Sequence, residues 1–242
     1  DPVALAWIRE QAAKGATVIG ICAGAKVVAE DGLLDDRRAT THWYYLRELR
    51  KRHPTIRYVP DRRIVADGSV ATTTGITASM PLALTLVEAI AGSAKAQSVA
   101  ADIGVEHWDA RHDSRQFTLT RPFAWTVLTN RLAFWRRERI GLALRPGIDE
   151  VSLALVADAW SRTYRSRAVT IGDGHDAWLS SHGIRLVPDR QSDDLSPTSL
   201  PSSRADLKPA AALDATLGDI GRRYDTSTAR VVAMQLEYPV GR

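Results

Sequence analysis

Cysteine is nearly absent from this chain of 242 residues, because Cys22 is the only one. A single cysteine excludes an internal disulfide and favours either a reducing compartment or a chemical role for the thiol. No apolar run approaches the ~20 residues that a membrane-spanning helix needs. The first residues, DPVALAW, lack the charged and apolar regions of a signal peptide and begin without Met. We therefore expect a cytoplasmic protein without a membrane segment, whose sequence starts partway along a longer protein.

A strong excess of one charge is also missing. Lys and Arg total 32 against 28 acidic residues, a net charge of +4. Binding of nucleic acid needs basic residues clustered on one face, so nucleic acid is not expected as a partner. The basic run from Arg47 to His53 allows either contact with phosphate or a solvated helix face, and we favour the solvated face.

The hydrophobic patterns alternate between strand and helix. A β-branched run from Ala16 to Ile21 predicts a buried strand, and a turn leads directly into a short helix. Residues 63–66 and 69–74 flank the turn pair Asp67-Gly68 and predict a hairpin. A helix is expected over 78–91. This order predicts an α/β fold with a mostly parallel sheet and helices on both faces.

The second half of the chain continues the alternation. An aromatic stretch from Phe123 to Trp135 predicts a core segment or a dimer interface. Residues 189–209 are rich in Ser, Pro and Asp and predict a linker or mobile loop. Further predictions are mostly helical residues over 95–137, strands near 140–144, 168–171 and 183–188, and helices over 150–164 and 211–234.

The segment around Cys22 carries the most chemical information. Gly20 and Gly24 lie two residues on either side of the cysteine, between the predicted strand and helix. That spacing is typical of a nucleophile elbow, where the chain reverses sharply, only small residues fit on either side, and the central residue adopts a strained conformation. Backbone N–H groups at the helix start, including that of Ala23, favour a thiolate and stabilise an oxyanion. The alternative is that Cys22 is simply a small buried apolar residue.

Histidine partners for this cysteine are few. His42 is the nearest in sequence, and it serves either as a base or orienting group near Cys22 or as a structural residue bonded to the backbone beside Trp43. We favour the structural alternative. The other single histidines, His107, His112, His175 and His182, show no spacing that suggests a metal site, and neither a metal nor a cofactor is expected.

These motifs together resemble the ThiJ/PfpI family of class I glutamine-amidotransferase-like proteins. The resemblance rests on IGICAGA (19–25), GLLD (32–35), RATTHW (38–43) and DGSVATTTGITASM (67–80), and it covers about residues 1–100. Within the family it is closest to the branch with isonitrile hydratases and the amidase-like domains of AraC-type regulators. It implies a flavodoxin-like three-layer α/β/α sandwich. Members of this family often dimerise, so the resemblance also implies a homodimer. The matching motifs also make Trp43, Gly75 and Thr77 candidate substrate-binding residues.

The sequence departs from the family pattern in the residues that would assist Cys22 and in the order of its segments. The family's supporting acid would occupy a position before residue 1 here. Either that acid or one of Asp149 and Glu150 is therefore expected to transfer the proton during the reaction of Cys22. Ala23 stands where protease-like members have a histidine, which argues against peptidase activity. A weaker resemblance near 139–151 and 182–189 to the family's N-terminal half implies either a tandem protein with a degenerate second unit or a circularly permuted single unit. The expected organisation is therefore an elbow-bearing unit (1–110), a helical connection (111–138) and a second unit (139–242).

Three functions follow from this interpretation. The first is a cysteine-dependent hydrolase or hydratase that acts on a small molecule. The second is a non-catalytic ligand-sensing or regulatory domain of the AraC-associated type. AraC-type regulators carry a C-terminal DNA-binding domain, whereas strand patterns follow residue 139, so direct binding of DNA is not expected. The third is a redox or glyoxal-stress protein in which Cys22 is oxidised reversibly.

Overall fold

The computed structural model describes residues 1–173, 177–191 and 207–239. The chain forms two compact units. The first comprises Asp1–Ser98, His107–Leu119 and the residues from Leu236 onward, and the second comprises Val99–Glu106 and Thr120–Gln235. Most of the predicted loop at 189–209 lies outside the described residues, as does His175. That residues 139–242 form a degenerate copy of the first unit stays a prediction.

Helices and strands alternate along both units. The helices are α1 (Pro2–Ala13), α2 (Gly24–Glu30), α3 (Trp43–Arg52), α4 (Ser79–Ala91), α5 (Ser93–Ile103), α6 (Arg121–Leu132), α7 (Glu150–Ser161), α8 (Pro209–Arg223) and α9 (Thr226–Leu236). The strands are β1 (Val18–Gly20), β2 (Arg38–Ala39), β3 (Arg57–Tyr58), β4 (Ile64–Asp67), β5 (Val70–Thr73), β6 (Glu138–Ala143), β7 (Ser166–Gly172), β8 (Trp178–Leu179), β9 (Arg185–Leu186) and β10 (Arg190–Gln191).

The sheet of the first unit has the strand order β1-β5-β4. Strand β1 pairs in parallel with β5, so that Gly20 lies opposite Thr72. Strands β4 and β5 pair antiparallel across the turn at Asp67 and Gly68, which confirms the predicted hairpin. Strands β2 and β3 form a separate parallel pair. The parallel pairing places the loops after β1 and β5 at the same edge of the sheet.

The core of the first unit packs α2 and α3 against the strands. Its buried side chains come from α2, the loop after it, β2, α3, the loop before β3, and β5, and Val18 and Leu33 pack against them. At about 25 cal/mol per Å² of buried apolar surface, this core stabilises the packing of α2, the helix that follows Cys22. Its members are Val28, Ala29, Leu34, Ala39, Leu49, Ile56 and Val70.

The second unit contains a β-α-β element. Strand β6 leads through α7 to β7, which pairs in parallel with β6 and with β10. Asp149 begins α7, because its carboxylate accepts a hydrogen bond from the N–H of Ser152 at 2.6 Å. Trp160 of α7 is fully buried, as is Ile140 of β6. Both sheets therefore contain parallel pairs, as the strand–helix alternation predicted.

The single helix predicted over residues 211–234 is wrong. The structure instead has α8 and α9, which are separated by Tyr224 and Asp225. Asp225 starts the second helix, because its carboxylate accepts hydrogen bonds from the N–H of Thr228 at 2.7 Å and from its hydroxyl at 3.2 Å. A local capping interaction thus interrupts a continuous helical pattern.

The aromatic stretch from Phe123 to Trp135 does not form a core segment. Trp125 and Trp135 are 67% and 70% exposed, and Leu132 and Phe134 are exposed as well. The core alternative is therefore wrong, and the dimer interface stays a prediction. Within the described ranges, no helix combines the length and apolar character that crossing a membrane requires.

Candidate functional site

The turn between β1 and α2 holds Cys22 in a left-handed conformation. Its φ is +54°, a region that residues with a side chain seldom adopt. Such a conformation costs on the order of 1–3 kcal/mol and persists only where the surrounding structure imposes it. The strained elbow expected from the spacing of the glycines is therefore present.

Close packing and two hydrogen bonds fix this elbow. A Cβ on Gly20 would lie 2.9 Å from both Cα and N of Ala25, so only glycine fits. The N–H of Cys22 donates to Oγ1 of Thr73 at 3.2 Å. Its carbonyl accepts from the hydroxyl of Thr41 at 3.2 Å. The elbow is thus tied to the end of β5 and to the segment after β2.

Gly24 does not share the steric role of Gly20. A Cβ on Gly24 would meet no atom within 4 Å, so the expectation that only a small residue fits there is wrong. Ala23 precedes α2 in an ordinary right-handed helical conformation. Its N–H is at the start of this helix, where the sequence predicted an oxyanion donor, and that role stays a prediction.

Cys22→Gly is expected to stabilise the folded protein by about 1 kcal/mol. Glycine adopts a positive φ without the steric cost that Cys22 bears, although its more flexible unfolded state offsets part of the gain. Urea unfolding followed by circular dichroism would measure the change, with Cys22→Ser as the control that keeps a side chain. A loss of stability in the glycine variant would contradict the strain inferred at this position.

His42 begins helix α3. Its Nδ1 accepts a hydrogen bond from the N–H of Tyr44 at 3.2 Å, and the residue is buried. This contact is the structural role that the sequence favoured for His42. Its alternative role as a base or orienting group for Cys22 stays a prediction.

The three candidate substrate-binding residues all bind at Glu237, two of them at its buried carboxylate and one at the backbone. The N–H of Trp43 donates to Oε1 of Glu237 at 2.6 Å, and the N–H of Gly75 donates to Oε2 at 2.7 Å. The hydroxyl of Thr77 donates to the carbonyls of Leu236 and Glu237, at 3.1 and 2.9 Å. Trp43, Gly75 and Thr77 therefore position Glu237, and their contact with a substrate stays a prediction.

Glu237 itself is tightly held. Its side chain is 1% exposed and its φ is +53°. A Cβ on Gly75 would lie 2.6 Å from the Cβ of Glu237, so glycine is required for this approach. His112 Nε2 lies 3.7 Å from Oε2 of Glu237. Burial lowers the pKa of the His112 imidazole, and the negative charge of Glu237 opposes that shift.

A pocket of about 680 Å³ adjoins this carboxylate. Helix α3, the loop at 112–119 and Glu237 contribute its walls, and Cys22 is not among its lining residues. Its volume falls within the range of small-molecule sites.

Asp149 and Glu150 lie in the second unit, where they meet His182. One potential ligand atom from each of the three lies within 4.8 Å of the others, so together they could hold a metal ion. They already bond within their own unit, because Asp149 caps α7 and Glu150 Oε1 lies 2.9 Å from Nδ1 of His182. Their predicted part in proton transfer for Cys22 stays a prediction.

Comparison with protein families gives one match, and it covers the elbow. Residues 1–89 match the DJ-1/PfpI family model. This match confirms, over residues 1–89, the resemblance that the sequence motifs indicated. The matched residues include β1, Cys22 and the hairpin of β4 and β5, so the family assignment and the α/β, flavodoxin-like fold class predicted from the sequence are confirmed.

Curated relatives match the same DJ-1/PfpI part. Isonitrile hydratase from Pseudomonas putida is 42% identical over 100 residues, which are 41% of this chain and 42% of the relative. The HTH-type transcriptional regulator CdhR from Pseudomonas aeruginosa is 38% identical over 86 residues, 36% of this chain and 25% of the regulator. The chain thus spans less than half the length of either relative.

Among solved structures, DJ-1beta from Drosophila melanogaster is 27% identical. The alignment covers 44% of this chain and 56% of DJ-1beta, with a TM-score of 0.40.

The sequence did not reveal two residues beside the DJ-1/PfpI part. Glu237 and His112 lie outside the matched segment, and neither belongs to a motif that marks it as functional. Glu237 is the residue that directly follows α9, and no local pattern links it to Gly75, 162 residues away. Only the folded structure brings these groups together.

Proposed function

We propose that this protein acts on a small electrophilic molecule through the thiol of Cys22, as a hydrolase or hydratase. The geometry of the elbow carries this proposal, since Cys22 is held at φ +54° between β1 and α2 in a DJ-1/PfpI segment. Similarity to isonitrile hydratase over 100 residues supports the hydratase alternative.

The proposed reaction begins with attack of the Cys22 thiolate on an electrophilic carbon. A carbon–sulfur bond forms, and the electron pair moves to the oxygen or nitrogen bonded to that carbon. The N–H of Ala23 stabilises the developing negative charge until that atom is protonated. In a hydrolase, the amine or alcohol group bonded to that carbon then leaves with a proton, whereas in a hydratase no group leaves. Water adds to the same carbon and gives up a proton, and the thiolate leaves, which restores Cys22. A reducing compartment keeps this thiol available, which is why we propose the cytoplasm as the site of action.

Fast alkylation of Cys22 is the expected signature of this chemistry. Iodoacetamide near neutral pH is expected to label Cys22 faster than it labels N-acetylcysteine, because an activated thiol is more ionised. Intact-mass spectrometry would follow the rate, and Cys22→Ser should take up no label. Labelling no faster than that of the free thiol would count against the proposed reaction.

A non-catalytic sensor is the second candidate. The similarity to CdhR over 86 residues favours a regulatory role for the DJ-1/PfpI part. In that case Cys22 should react at the rate of an ordinary thiol while a small ligand still binds. A mobility shift with duplex DNA that weakens as salt rises would show direct DNA binding, which we do not expect.

A further inference from the structure

Aromatic side chains form the walls of the pocket beside Glu237. Trp43 and Tyr44 come from the first turn of α3, Tyr58 comes from β3, and Phe117 comes from the loop at 112–119. The ring of Phe117 stacks on that of His112, with the centroids 5.1 Å apart and the planes within 5° of parallel. Flat apolar surfaces of this kind suit a planar ligand.

Three cations lie on the same pocket wall. Arg47, Arg50 and Lys51 are spaced three and four residues apart on α3, which places them on one helix face. All three are exposed, and none forms an ion pair with a carboxylate among residues 1–173, 177–191 and 207–239. The next basic residue of α3, Arg52, does not line the pocket and pairs with Glu30 and Glu48.

The acidic group at the pocket does not cancel these cations. Glu237 is buried, and the N–H groups of Trp43 and Gly75 already bind both of its oxygens. Both oxygens of this carboxylate are thus already engaged in charge-assisted hydrogen bonds. The pocket therefore combines aromatic walls with three cations of α3 that pair with no carboxylate of the described residues, at the run for which the sequence favours a solvated helix face.

We propose that this pocket binds a small organic anion with a flat apolar body. The planar part lies against Trp43, Tyr58 and Phe117, and the anionic group contacts Arg47, Arg50 and Lys51. Because Cys22 does not line the pocket, this inference goes beyond the proposed reaction and does not depend on it.

Isothermal titration calorimetry with 2-naphthoate, and with the neutral 2-naphthamide as its matched control, tests this proposal. The anion is expected to bind at least about tenfold more tightly, since one charge-assisted hydrogen bond contributes roughly that factor. The Arg47→Gln/Arg50→Gln variant is expected to lose about tenfold or more in affinity for 2-naphthoate. Arg52→Gln removes a charge from the same helix outside the pocket and should leave the affinity unchanged.

Several outcomes would overturn the proposal. These are equal affinity for the two probes, no heat of binding at millimolar 2-naphthoate, or an unchanged affinity in the double variant. Circular dichroism would confirm that each variant is folded. Cys22→Ser should bind 2-naphthoate like the unmodified protein, so that slow alkylation of Cys22 would contradict the proposed reaction without affecting this site.

Discussion

Replacing Glu237 by Gln is expected to lower the free energy of unfolding by about 2–4 kcal/mol, a large effect for an exchange that keeps size and shape. Gln has a single acceptor oxygen, whereas the N–H groups of Trp43 and Gly75 each bind one oxygen of Glu237. One of these N–H groups would then face the NH₂ of the new amide in a buried site. A buried donor without an acceptor costs the full loss of its hydration.

Urea unfolding measures this loss, and hydrogen exchange at the two amides locates it. Exchange at Trp43 or Gly75 should accelerate beyond the change in global stability, because one of the two hydrogen bonds is absent. Glu48→Gln provides the matched control, since Glu48 lies on the exposed face of α3 and pairs with Lys26 and Arg52 at the surface. A loss in Glu237→Gln no larger than in Glu48→Gln would show that Glu237 does not hold the two loops.

Gly20→Ala is expected to have the second large effect, a loss of about 1–3 kcal/mol with a shift of α2. The added Cβ would lie 2.9 Å from two backbone atoms of Ala25, and backbone cannot move aside as a flexible side chain can. Relief of the clash requires α2 to move away from β1, which disturbs the position of Cys22. Urea unfolding measures the loss of stability, and the rate of iodoacetamide labelling reports the altered elbow.

Gly24→Ala is the matched control for this substitution. A Cβ at Gly24 meets nothing within 4 Å, and alanine favours a helix over glycine by up to about 1 kcal/mol. The variant should therefore be as stable as the original protein or slightly more stable. Equal losses in the two variants would mean that the elbow tolerates no side chain on either side, contrary to the packing described here.

Local patterns predicted the elements that depend on local interactions. The hairpin of β4 and β5 follows from its turn pair, Asp67-Gly68. The elbow follows from the spacing of Gly20 and Cys22. The break between α8 and α9 escaped prediction because one capping residue, Asp225, interrupts an otherwise continuous helical pattern.

Interactions between distant parts of the chain escaped prediction for a different reason. In the sequence, the basic residues of α3 are typical of a solvent-exposed helix face. Only the fold shows that Arg47 and Arg50 line a pocket. His112 carries no signal until its stacking on Phe117 and its approach to Glu237 are known. Contacts of this kind depend on tertiary packing, which no local propensity encodes.

The origin of Glu237 has a consequence for biosynthesis. Since a ribosome makes the chain from its N-terminus, α3 and the hairpin emerge long before the residue that accepts hydrogen bonds from Trp43 and Gly75. Until Glu237 is made, both amides remain hydrated and the pocket lacks the wall that Glu237 forms beside His112. The first unit therefore completes its fold only after the second unit has been synthesised. During synthesis it is an incomplete structure that chaperones can bind.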